Sequence, residues 1–177
     1  MLVLISLTES ALLVDAEGRN DPITMSFGEE TEFYDSCSVT YRNRFYVFGG
    51  YNNMQQISEV TECELRRIGT LGFDHNDGAC SNVDDREIYL CFHRYDTSQC
   101  RSAVDPLGMF TKIAPSTYYH KFARTAASPS KFQVTYILIS FSAKLLAVGS
   151  FNPGNVKTEM YLTEIGRWET LQDYPFD

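Results

Sequence analysis

The side chains able to do chemistry are few and scattered. There are three histidines, His75, His93 and His120, and five cysteines, at positions 37, 63, 80, 91 and 100. Cys91-x-His93 with Cys100 offers metal-capable atoms, but the spacing fits no standard zinc pattern and no fourth ligand is evident. Asp74-His-Asn-Asp-Gly78 falls one residue short of a calcium loop and lacks the distal glutamate; turn chemistry explains it better. Asp84-Asp85 pairs two carboxylates in a turn, away from every histidine. There is no nucleophile elbow, no His-Glu-x-x-His and no phosphate-cradling glycine loop. The residues therefore point away from catalysis, from a bound metal and from a cofactor.

Five is an odd number, so at most two disulfides form within the chain. Cys91 and Cys100 fall near facing ends of two consecutive predicted strands, where they would sit as a cross-strand disulfide or as free core thiols. Cys37 and Cys80 fall at matching places in two predicted inner strands, where a free cysteine serves as a small core residue.

The elements that must position these groups are strands. The chain has 177 residues, of which 44% are hydrophobic and 21% charged, with twelve Phe and eleven Tyr. That is enough for one domain with a core, and the aromatic content favours pleated, half-buried surfaces. A net charge of -8 disfavours binding to nucleic acid or to an acidic membrane. The apolar runs Leu2–Leu7 and Val134–Phe141 fall short of the ~20 residues that span a bilayer. The start, Met1-Leu-Val-Leu-Ile-Ser-Leu7, reads as a buried strand; a trimmed start and a secretory signal are the alternatives, the signal lacking a basic segment before its apolar stretch. No feature assigns a compartment.

Arg44-Phe-Tyr-Val-Phe-Gly-Gly50 is the clearest unit: four consecutive apolar residues closed by two glycines. It returns as Glu87-Ile-Tyr-Leu-Cys-Phe-His93 and as Lys144-Leu-Leu-Ala-Val-Gly-Ser150. Ile88 lies 43 residues after Phe45, and Cys80 lies 43 after Cys37. Each copy predicts four strands. In the first they are Ser36–Tyr41, Phe45–Phe48, Ile57–Cys63 and Leu65–Leu71. The second copy has Cys100–Val104 and Met109–Ile113 as its outer pair. Leu65-Arg-Arg-Ile68, Phe110-Thr-Lys-Ile113 and Trp168-Glu-Thr-Leu171 share a pattern of one large apolar residue, two polar ones and an aliphatic one. Leu12–Gly18 and Ile23–Phe27 read as two further strands joined by a turn at Asn20-Asp-Pro22.

The third copy is longer than its period by 14 residues. The expected first strand is Phe122–Ala127 and the turn Ser128-Pro-Ser130, leaving Lys131–Lys144 as an insertion. This stretch is β-prone and nearly uncharged. It reads either as an added strand or hairpin on a free edge, or as a segment foreign to the fold, such as a translated intron.

Four-stranded units repeated at this spacing are blades of a β-propeller. Phe45-Tyr-Val-Phe-Gly-Gly50, together with Trp168 and Asp173-Tyr-Pro-Phe176, resembles the kelch repeat, over most of residues 12–176. In that family the inner strand ends in two glycines and the outer strand carries a tryptophan or a similar apolar residue. The double glycine is intact once; the second copy has Phe92-His93 there and the third Gly149-Ser150, which puts the tight turn of the second copy in question. The expected fold is all-β: a partial kelch-like propeller in one segment, with a half blade over 12–33 and blades over 36–71, 79–114 and 122–173. So short an arc would leave apolar faces for further blades or for self-association.

Strand parity places the loops between strands two and three on the same end as the blade-to-blade connections. That end carries Tyr51, Asn52, His75, His93, Arg94, Tyr95, Tyr118 and His120. The kelch resemblance implies partner binding at such loops, so the expected function is protein–protein interaction with a protein or peptide partner. The alternatives are a metal-binding or enzymatic kelch propeller and a structural fragment of a larger extracellular or scaffold protein. Solvated loop residues without a partner are the plainer expectation for the same positions.

Overall fold

The computed structural model describes residues 2–5, 11–14, 20–21, 35–61, 64–120, 137–141, 143–148 and 157–172. Among them every regular element is a strand, and every strand pairing is antiparallel. An N-terminal sheet joins β1 (Leu2–Ile5), β2 (Ala11–Val14) and β3 (Asn20–Asp21) in chain order. Asn20 and Asp21, expected in a turn, are paired with Val14 and Leu13 instead. The expected strand Ile23–Phe27 lies outside the described residues.

Three four-stranded meanders follow. Sheet one holds β4 (Cys37–Tyr41), β5 (Arg44–Phe48), β6 (Gln56–Thr61) and β7 (Glu64–Thr70). Sheet two holds β8 (Ala79–Val83), β9 (Glu87–His93), β10 (Asp96–Ala103) and the short β11 (Thr111–Lys112). Sheet three holds β12 (Ile137–Phe141), β13 (Lys144–Val148), β14 (Thr158–Leu162) and β15 (Arg167–Thr170). In each sheet the strands lie in the order of the chain. The first strands sit side by side: β8 contacts β4 on one side and β12 on the other.

Burial explains the unbroken apolar runs. Ile88 and Leu90 of β9 pack with Tyr46 and Phe48 of sheet one, while Tyr89 and Cys91 pack with Leu145, Ala147 and Tyr161 of sheet three. A strand covered on both faces has no position for a polar residue. Each large side chain so buried contributes about 1.5–3 kcal/mol. Tyr46 and Tyr89 both face the following sheet, and Ile88 and Leu145 both face the preceding one, so the second strands keep the spacing seen in the sequence.

The first strands do not keep it. Cys37 pairs with Phe48, whereas Ala79, not Cys80, pairs with Cys91. The cause is the turn: Tyr41 pairs with Arg44 across two residues, but Val83 pairs with Glu87 across three. A one-residue slip sends a side chain to the opposite face of its sheet. Cys80 therefore points back at sheet one, where it is disulfide-bonded to Cys37 at a Cα–Cα distance of 5.7 Å. The two cysteines are partners, not equivalent core residues. Cys91 and Cys100 face each other within sheet two and form a second disulfide.

The third meander departs from expectation at its start. Ile137–Phe141, inside the stretch read as an insertion, is the first strand of sheet three, and Phe141 pairs with Lys144. The surplus length thus precedes this strand instead of separating it from the next. Residues 122–127 and 128–130, expected as strand and turn, lie outside the described residues.

Candidate recognition surface

One end of the three sheets is built from the β5–β6 and β9–β10 loops and from the connections 71–78 and 113–120. Backbone hydrogen bonds tie these segments together. His75 N donates to Met54 O at 2.7 Å and Gly50 N donates to His75 O at 3.1 Å. The pattern repeats one sheet on, where His120 N donates to Thr97 O at 2.8 Å and Ser116 N to Ser98 O at 2.9 Å. Arg94 N donates to Asn76 O at 3.0 Å, linking the two groups.

Gly49 has φ 65°, and a Cβ there would lie 1.6 Å from the His75 carbonyl oxygen, so only glycine fits. Phe92, at the matching place in sheet two, adopts φ 60° despite its side chain. The turn put in question by the lost glycine is therefore kept. Strain of this kind costs about 1–3 kcal/mol and persists when packing over-determines it. Here the phenyl ring lies 4.7 Å from the His120 ring and 5.8 Å from Trp168.

The two connection histidines belong to this scaffold and not to its surface. His75 and His120 are each 1% exposed, which corrects their expected place among solvent-facing residues. Burial pushes the His75 pKa down from 6.5 to about 3, with a smaller push from His93, so the ring is neutral. Its Nε2 lies 3.4 Å from Cys37 Sγ. His120 Nε2 stands 2.9 Å from Glu159 Oε2, and Glu159 is fully buried. The same carboxylate accepts hydrogen bonds from Thr117 N at 2.9 Å and Tyr118 N at 3.0 Å. Burial alone would raise its pKa; the hydrogen bonds from His120, Tyr118 and Thr117 outweigh that and hold it below the ordinary value. Arg101 on β10 occupies the place of Glu159 on β14 and likewise reaches back, its guanidinium 4.3 Å from the Phe73 ring. One strand position thus grips the preceding connection in both sheets.

The outward residues are different ones. Tyr95 is 71% exposed and Tyr119 73%, and Tyr51, Asn52 and Arg94 are exposed as well. The Arg94 guanidinium lies 5.9 Å from the Tyr95 ring, and the His93 ring 6.4 Å from it. His93 and Tyr118 are half-buried, and Lys157 Nζ lies 5.3 Å over the Tyr118 ring. Of the sequence-predicted set, then, Tyr51, Asn52, Arg94 and Tyr95 face solvent, His93 and Tyr118 do so in part, and His75 and His120 do not. Strand parity places Tyr119 on this same end, although the binding set leaves it out; Glu159 lies outside every sequence-based expectation. Glu159 carries no local signal, because its importance comes from a connection some forty residues away. Among the described residues no three His, Cys, Asp or Glu side chains are grouped to hold a metal ion. No protein-family model matches the chain, and no curated protein matches it.

The buried neutral histidine makes stability pH-dependent. The unfolded chain binds a proton near pH 6.5 that folded His75 refuses until about pH 3. Stability is therefore full above pH 6.5 and falls as the pH drops through that window. His93, its pKa also lowered chiefly by burial, acts in the same direction. Urea unfolding at pH 7.5 and pH 5 should differ by about 2 kcal/mol from His75 alone, and His75→Phe should flatten the profile. A native profile already flat over this range would place the ring in solvent.

Proposed function

We propose that the chain is a kelch-like β-propeller segment that recognises a protein or peptide through the loop end carrying Arg94, Tyr95 and Tyr119. The observation carrying this is a group of exposed tyrosines and an arginine mounted on a base fixed by backbone hydrogen bonds between its loops and by the buried Glu159 carboxylate. Tyr and Arg supply much of the energy of protein recognition, because each gives large contact area with a polar tip. A pre-formed base reduces the ordering cost of binding. The propeller part of the reading is supported by three consecutive meanders with adjoining first strands. In this reading further blades, or a second copy of the chain, cover the outer faces of the arc.

A random peptide library displayed on phage and selected on the immobilised protein supplies ligands for the test. Arg94→Ala with Tyr95→Ala should weaken the selected peptides at least about tenfold, while the melting temperature stays put, since surface changes alter stability by less than about 0.5 kcal/mol. Unchanged affinity across the selected peptides would move recognition off this end.

A further inference from the structure

The two disulfides differ in placement. Cys91 and Cys100 are 1% and 0% exposed and directly opposed in one ladder. Cys37 and Cys80 are half-buried and join two sheets that share no strand pairing. We infer that Cys37–Cys80 is an exchangeable disulfide, opened by attack of an external thiolate on Cys80 Sγ with Cys37 as the leaving group beside His75.

The assignment of roles rests on His75. Its Nε2 lies 3.4 Å from Cys37 Sγ, and its backbone is fixed on both sides by Met54 O and Gly50 N. In the tautomer with the proton on Nε2, the ring donates to that sulfur and stabilises the departing thiolate. A better leaving thiolate leaves faster, and exchange follows access to the attacked sulfur. The attacking thiolate forms a new S–S bond to Cys80 as the Cys37–Cys80 bond breaks. The electron pair stays on Cys37, which then takes a proton from water. With a dithiol reductant, the second thiolate attacks the external sulfur, releasing Cys80 as a thiolate. Two electrons pass to the cysteine pair and the reductant becomes a disulfide.

The test uses the oxidised full chain with reduced glutathione in native buffer, quenched with N-ethylmaleimide and mapped by peptide mass spectrometry. Glutathione is expected on Cys80 and maleimide on Cys37, with opening at least about tenfold faster than at Cys91–Cys100. Glutathione on Cys37, earlier opening of Cys91–Cys100, or opening of Cys37–Cys80 only in denaturing urea would overturn the inference. His75→Phe should slow opening about tenfold and erase the preference for Cys80. If that variant fails to fold, the position of glutathione in the unmodified chain decides alone.

Discussion

Glu159→Leu should lower the free energy of unfolding by about 3–5 kcal/mol, the range for removing one member of a buried polar pair. Leucine fills much of the space but leaves His120 Nε2, Thr117 N and Tyr118 N without the acceptor they share. A buried donor stranded in this way costs about 1–3 kcal/mol. The loss is not confined to one bond. The connection 113–120 would lose its tie to β14, and the His120 ring that Phe92 packs against would lose its anchor. Denaturant unfolding of Glu159→Leu, with His120→Leu and the double variant, completes the test. The double variant should recover part of the loss, because the stranded imidazole is gone. Additive losses would mean that the two side chains do not meet.

Removing the Cys37–Cys80 disulfide is the second large effect, expected at about 4 kcal/mol from chain entropy alone. The bond closes 43 residues, and the Cys91–Cys100 bond closes 9. The same relation gives about 2.6 kcal/mol for the shorter loop. Cys37→Ser with Cys80→Ser should therefore destabilise more than Cys91→Ser with Cys100→Ser, provided each polar replacement is compared with its alanine counterpart. The two serines of the second pair would be fully buried, so alanine isolates the crosslink there. Equal losses, or a larger loss from the short loop with alanine, would show that the long bond constrains little.

The sheets were legible where side chains repeat and illegible where turns change length. Phe45, Ile88 and Leu145 mark the second strand of each meander, because a strand covered on both faces reads as an apolar run. The antiparallel all-β class follows from those runs and the hairpin turns between them. Cys37 and Cys80 appeared equivalent because spacing counts residues and ignores the turn; one extra residue among Asp84, Asp85 and Arg86 reversed the face of Cys80. Ile137–Phe141 was read as surplus because its place was fixed by the same count, although its composition is that of a strand. The loop end followed from strand parity, but parity says nothing about depth. His75 and His120 are polar residues in connections, and only the folded chain shows the carbonyls, the carboxylate and the rings that close over them. Glu159 had no signal at all, since an acidic residue in a strand ordinarily points to water.

The side-by-side packing of β4 on β8 sets the position of every loop described above, and one chemical measurement reports on it. Peptide mapping of the oxidised protein under non-reducing conditions should yield a linked peptide pair containing Cys37 and Cys80, and a second crosslink between Cys91 and Cys100. Cys37 joined to Cys91 or Cys100 would contradict the packing, because those two side chains are buried in the cluster shared with sheet three and not against sheet one.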